Sequence, residues 1–368
     1  MVKKIKSVLA VLLCAAFAVI PLSGVKDSFG VQNVEKSAMV KSIGFDTEGE
    51  NIISYVQSVI DDSSAFHTQG LISAAGCSFA DAEKKAQILA DKYLSFSYAR
   101  HFLIGMPTAK SGIGEVMAFL LASPVLQLSS YVYICEGSAK TMLEKISKDS
   151  ISTNEVLTNL NLAGKEEGYY YPVTVLELAK AWREGQCIAV PVIGEKESGT
   201  NTTKKTVPVF KGYAVIEDNR IAAGLNKDLA RKYNIFNNII QRTVISDGDN
   251  DFELKNIHTS VRFRVRDEQV EKVYFRVKAK LAFAAFSGNS LKDSAAVQND
   301  LSAVQTAVTR ELNELLSFIQ SGNIDLLHLE SKLDIQTFGA MQNPSAALKG
   351  AAISVAFEPQ YDNNFTLK

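Results

Sequence analysis

An α+β fold of two to three domains, with mixed and antiparallel sheets and packed helices, is what this sequence predicts. The first observation is a pair of neighbouring stretches with period two. Val261, Phe263 and Val265 alternate with Arg262, Arg264 and Arg266, and Val273, Phe275, Val277, Ala279 and Leu281 alternate with Tyr274, Arg276, Lys278 and Lys280. Such strands turn one face to a core and the other to water. The second is a helical stripe over residues 292–320, where Val297, Leu301, Val304, Val308, Leu312, Leu315 and Ile319 recur every three or four positions. The third is that strands and helices elsewhere are interspersed without a regular βαβα alternation, which favours α+β over α/β. The chain has 368 residues, 46% apolar and 21% charged, the make-up of a folded protein large enough for separate cores.

Residues 1–24 come first. Lys3, Lys4 and Lys6 precede an apolar run from Val8 to Leu22, closed by Ser23-Gly24. This is the pattern of a secretory signal peptide, or of an uncleaved N-terminal anchor; about 15 apolar residues are short of the roughly 20 that span a bilayer. The working chain is therefore expected outside the cytoplasm.

An N-terminal α+β region is expected over 36–193. Residues 38–46 and 52–60 read as a strand pair around the turn Thr47-Glu48-Gly49-Glu50. Phe79–Tyr93 reads as a helix opened by Ser78 with Asp81 three residues on. A strand at 102–104, a helix at 113–121, a turn at Ser123-Pro124, a strand at 128–134, helices at 138–146 and 176–182 and a strand at 188–193 follow. Residues 194–206 contain almost no apolar side chain, so they form a linker between domains or a long exposed hairpin loop, and a boundary is expected there. A C-terminal α+β domain is expected over 207–360. Strands 207–216 and 220–225 turn at Glu217-Asp218-Asn219, the two alternating strands and the long helix follow, and a strand at 352–357 closes the region. Gly322 is placed to end the long helix in a left-handed cap.

The chemistry is defined mostly by exclusion. A net charge of -1 gives no reason to bind nucleic acid. There is no glycine-rich nucleotide loop, no GxSxG elbow and no HExxH, so no catalytic, cofactor or metal residue is assigned. Cys14, Cys77, Cys135 and Cys187 make no CxxC pair; the last three read as buried thiols. Asp61-Asp62 reads as a solvated turn. Asp247, Asp249 and Asp251 resemble half a calcium loop, but His258 stands at the twelfth position, where a bidentate glutamate is needed, so an exposed loop is preferred. His101 reads as a packing or hydrogen-bonding residue. Tyr169, Tyr170, Tyr171 and Trp182 read as core rather than groove. Arg262, Arg264, Arg266, Arg276, Lys278 and Lys280 share the outer strand face, a candidate surface for anionic headgroups or an acidic partner.

Spaced segments of the chain resemble the C subunit of spore germinant receptors, the GerC-type lipoproteins. Gly24-Val25-Lys26-Asp27 stands where the family has Gly-Cys-Trp-Asp, followed by Ile43-Gly44-Phe45-Asp46 for its Gly-Ile-Asp. Ala75-Gly76-Cys77-Ser78, the Ala-rich helix from Ala82, His101-Phe102-Leu103-Ile104-Gly105, Ala109–Ile113 and Tyr133–Ala139 keep the family order. Gly212-Tyr213-Ala214-Val215, Asp218 and Gly224-Leu225 match its second-half hairpin, and the long helix followed by Asp325 fits its last helix. Val25 replaces the lipid-acceptor cysteine and has no thiol to acylate. Lys26 replaces the tryptophan, and Ala122-Ser123 stand where the family has an arginine.

The resemblance implies up to three α+β domains and a non-enzymatic, membrane-associated subunit on the outer face of the spore inner membrane. Its implied partners are membrane-spanning A and B subunits, and it implies no cofactor and no small molecule turned over. Held by an uncleaved signal or by those partners, it would serve nutrient-triggered germination. An exported solute-binding or envelope-adhesion protein using the Lys/Arg face is the alternative from the residues alone.

Overall fold

The computed structural model describes residues 37–49, 51–62, 65–68, 71–147, 153–166, 170–198, 205–246, 250–286 and 294–361. Gly24, Val25, Asp27 and the whole expected signal or anchor lie outside them, as do Tyr169, Asp247 and Asp249. Among the described residues two sheets and ten α-helices make an α+β architecture, as the patterning predicts.

The first half runs β1 (Ser37–Glu48), β2 (Asn51–Asp62), β3 (Ala65–Thr68), β4 (Ile72–Gly76), α1 (Phe79–Leu89), β5 (Tyr93–Ser95), β6 (His101–Gly105), α2 (Met106–Ser111), α3 (Gly114–Ala122) and β7 (Tyr131–Cys135). It continues through α4 (Ala139–Ser147), α5 (Thr153–Glu166), β8 (Val173–Thr174), α6 (Val175–Glu184), β9 (Ile188–Ser198), β10 (Lys205–Glu217) and β11 (Arg220–Asn226). These strands form one sheet in the order β11-β10-β9-β7-β6-β1-β2-β3, with β4, β5 and β8 pairing β2, β1 and β7. Strands β1, β5, β6, β7 and β9 run parallel, so all five begin at the same end of the sheet.

The second half contains α7 (Lys227–Phe236), β12 (Arg242–Ser246), β13 (Asn250–Arg266), β14 (Gln269–Phe286), α8 (Ser294–Gly322), α9 (Leu329–Gln336), α10 (Pro344–Leu348) and β15 (Ala352–Tyr361). Its sheet is β12-β13-β14-β15, with β15 parallel to β14. Val304, Val308, Leu312, Leu315 and Ile319 of α8 are buried against it, together with Val273, Phe275, Val277, Ala279 and Leu281. Beyond β12, the open edge of β13 is covered by two side-chain amides. Asn238 accepts from Thr259 N (2.6 Å) and donates to Thr259 O (2.9 Å), and Gln336 does the same for Phe263 at 3.4 Å each. Both imitate a neighbouring strand and blunt the edge.

The expected boundary at 194–206 does not separate two sheets. β9 and β10 pair from Ile188↔Ile216 out to Ser198↔Lys205, so both sides of the polar stretch belong to one sheet; residues 199–204 lie outside the described residues. The change of sheet falls later, across α7 (residues 227–236). Even there one core is continuous: Ala189, Phe210, Tyr213 and Val215 of the first sheet pack in the same cluster as Phe252, Phe275 and Leu312 of the second half. Tyr213 donates to Asn234 of α7 at 3.0 Å across this junction, and within the first half it accepts from Tyr171 N at 2.7 Å.

Smaller corrections have local causes. α1 stops at Leu89 rather than Tyr93, because Tyr93 pairs with Ser37 as a strand and Gln87 bonds Leu94 N (2.8 Å) and Lys92 O (3.3 Å). β7 begins at Tyr131, after a turn that consumes Leu128–Ser130. The left-handed residue after α8 is Asn323 (φ 51), not Gly322. Asp61 and Asp62 pair with Phe66 and Ala65 at the end of β2, inside a strand rather than a turn.

Candidate functional site

The motif residues gather around the centre of the first sheet. In β1, Gly44 and Asp46 face α4 while Phe45 faces the other side. Phe45 packs edge-on against Phe79 (centroids 4.8 Å apart) and Phe119 (5.7 Å) beneath α1 and α3. A Cβ on Gly44 would stand 2.9 Å from Leu143 and 3.0 Å from Ala139, so the glycine lets α4 lie directly on the strand. The buried Asp46 carboxylate accepts from Ala139 N (3.0 Å) and Lys140 N (3.1 Å), the first two amides of α4, which have no partner inside the helix. Gly105 leaves room for that carboxylate, since a Cβ there would overlap Asp46 Oδ1. Burial raises the Asp46 pKa, and the two backbone donors pull it down less strongly.

His101, at the start of β6, is fully buried. Its Nδ1 lies 3.2 Å from Tyr133 Oη, and Tyr133 and Tyr170 both donate to Asn161 Oδ1 of α5, at 3.0 and 2.8 Å. Tyr133 spends its single proton on Asn161, so the network assigns the Nδ1 proton to the imidazole. Nε2 faces the Thr158 hydroxyl at 3.4 Å. Burial lowers the His101 pKa to about 4, although hydrogen bonds to Asn154 favour the charged form. At neutral pH the ring is uncharged and structural. Burial likewise pushes the Tyr133 and Tyr170 phenols up, so the relay is a set of neutral hydrogen bonds that fastens α5 to the sheet.

Gly212 sits at a bulge in β10, where the register shifts between Phe210 and Gly212. Its φ of 141° suits glycine, and a Cβ would overlap Leu225 O of β11. Nothing lies within reach of a Cβ at Gly224, and the structure gives no steric reason for glycine there.

The six basic residues do share the outward face of β13 and β14, with Arg262 opposite Tyr274 and Arg264 opposite Lys272. Two glutamates offset part of that charge. Arg264 and Arg266 reach Glu271 at 3.2 and 3.6 Å, and Arg276 and Lys278 reach Glu358 of β15 at 3.0 and 3.9 Å. Arg262 and Lys280 make no ion pair among the described residues. Sequence reasoning missed Glu358 because it lies outside the hairpin and reaches Lys278 only through the parallel pairing of β15.

Cys135 and Cys187 are buried, and burial raises both thiols, Cys187 to about 12 with help from Glu217. Cys77 departs from the expectation: it is exposed, in the turn before α1. Tyr170 is core, whereas Tyr171 and Trp182 are partly exposed. Among the described residues no group of three His, Cys, Asp or Glu side chains is placed to hold a metal. No described helix is long and apolar enough to cross a membrane.

Compared with known proteins, residues 30–195 match the family described as the spore germination protein N-terminal domain. A solved structure, the crystal structure of the GerBC protein, shares the fold with a TM-score of 0.53 at 13% identity, covering 87% of this chain and 97% of that one. No curated protein matches the sequence. The matched region contains Gly44, Asp46 and His101, and the fold likeness extends beyond it, so residues 30–195 resemble the N-terminal domain of spore germination proteins and the chain has the fold of the GerBC protein.

Proposed function

We propose that the chain is an accessory subunit of a nutrient germinant receptor, seated on the outer face of the spore inner membrane beside membrane-spanning A and B subunits. It turns over no molecule; its task is to hold a rigid surface against integral neighbours. The observation that carries this reading is the family match over residues 30–195. Its motif side chains there are spent on architecture: Asp46 on the α4 amides, Gly44 and Gly105 on close approach, and His101 on the tyrosine–asparagine relay. Side chains buried for packing supply shape rather than chemistry, which suits a docking subunit.

Deletion of the coding sequence tests it. Sporulation should proceed, while nutrient-triggered release of dipicolinate slows, and expression in trans should restore the rate. Wild-type germination with every nutrient tried would reject the proposal. Co-purification from spore membranes with the A and B subunits should accompany the phenotype, whereas recovery solely from culture medium would point to an exported solute-binding or adhesion protein.

A further inference from the structure

The end of the first sheet at which its parallel strands begin is unusually apolar and open. β1, β5, β6, β7 and β9 all start there. The segments entering these strands leave large apolar side chains in solvent. Ile88 and Leu89 close α1 at 81% and 63% exposure, Tyr93 opens β5, Tyr98 precedes β6, and Val125 and Leu128 precede β7, each more than two-fifths exposed. Tyr93 and Val125 line a common groove of about 540 Å³ with Glu83, Lys84 and Gln87 of α1. Lys41 lies over the Tyr98 ring, 5.2 Å from its centroid. Aliphatic side chains flanked by tyrosines and lysines are the composition that settles at a bilayer's headgroup boundary, where the ring bodies and lysine stems are apolar and their tips are wet.

The chain itself says which surface meets this end. Ser37 opens β1 beside Tyr93, so the 36 residues before it enter the fold here. They include the apolar run Val8–Leu22. From Leu22 to Ser37 the tether reaches at most about 50 Å, which brings this end within range of whatever holds the run without pressing it there. The apolar ring supplies the contact.

We infer that this end is the membrane-facing surface of the protein, with Ile88, Leu89, Tyr93, Tyr98, Val125 and Leu128 seated in the interface of a lipid bilayer. The inference stands apart from the receptor reading, because it concerns orientation on a lipid surface and needs no A or B subunit. It also places the basic face of β13 and β14, which Glu271 and Glu358 offset only in part, elsewhere than in the primary lipid contact.

The test uses the full chain, with Trp182→Phe removing the native indole and a single tryptophan introduced as Tyr93→Trp, Tyr98→Trp or, for comparison, Tyr274→Trp on the outward face of β14. Each variant is bound to vesicles of phosphatidylcholine and phosphatidylglycerol carrying bromine on the acyl chains. Emission from the Tyr93→Trp and Tyr98→Trp variants should shift to the blue on binding and fall to about half with brominated lipid, as expected for side chains seated several ångströms into the boundary, while the Tyr274→Trp variant stays unquenched. Unquenched emission from the first two on vesicle-bound protein overturns the inference. So does emission already blue-shifted before vesicles are added, which would mean that residues 1–36 or a second copy covers the ring. A normal germination phenotype alongside positive quenching would reject the receptor role and leave the membrane face standing.

Discussion

Asp46 and His101 show how a single side chain can hold a distant element. Asp46 bonds residues 93 and 94 positions away, so its removal leaves two amides of α4 without acceptors inside the core. Asp46→Ala should cost about 1–3 kcal/mol, read from the urea midpoint, and Asp46→Asn, which keeps one acceptor oxygen, should cost less. His101 gives stability a pH dependence. Its folded pKa of about 4 lies below the ordinary 6.5, so the unfolded chain binds the extra proton first. Stability is therefore fully present above pH 6.5 and is lost as pH falls toward 4, by up to about 3 kcal/mol. Asp46 acts in the opposite sense: its raised pKa means that ionisation in place costs stability as pH rises through it. Urea midpoints at pH 7 and pH 4.5, compared between wild type and His101→Asn, isolate the histidine contribution; an equal pH slope in both would refute it. The motif containing Asp46 was legible as a pattern, and His101 as a packing residue. The partners Ala139 and Asn161 were not, since nothing local to either residue announces a contact that exists only after the sheet has assembled.

At the level of elements, period and capping carried most of the information. The Ser78 cap, the alternation along β13 and β14 and the stripe of α8 from Val304 to Ile319 appear where the pattern placed them. The helices that escaped notice, α2, α5, α7, α9 and α10, are short or rich in polar residues. α7 buries Lys232 and Asn234 along with its apolar face, which breaks the pattern that would have revealed it. The Gly322 error has a simple basis: asparagine tolerates the left-handed region, and the chain uses Asn323 for it. Turn chemistry allows a further prediction. Asp267 and Glu268 join β13 to β14 with φ of 49° and 59°, a two-residue primed turn in which glutamate is poorly suited. Glu268→Gly should stabilise the protein by about 1 kcal/mol, seen as a higher urea midpoint with an unchanged slope.

Over the whole molecule, the polar composition of 194–206 did not mark a change of sheet, since β9 and β10 pair on either side of it. The outer ends of two paired strands can be as polar as a linker. What joins the halves is apolar and non-local: Tyr213 meets Tyr233 edge-on with centroids 5.5 Å apart, and Phe210 shares a core with Phe252 and Phe275. A shared core predicts shared unfolding. Heating should give one transition, with far-ultraviolet circular dichroism and Trp182 fluorescence coincident; two separated midpoints would show that the sheets melt as independent units.

The parallel pairing of β15 with β14 has a consequence for how the molecule comes into being. β14 ends at Phe286 and its neighbour begins at Ala352, so the strand that completes the second sheet is synthesised only after the whole of α8 has followed β14. Joining them means closing a long loop, with α8 forming in between. That closure carries an entropic cost, and its reward arrives only when the final ten-residue strand is delivered. Until then β14 presents a bare flank, and a nascent or prematurely terminated chain ending near Gly350 would be a sticky species, prone to pair with its own kind before its maturation is finished.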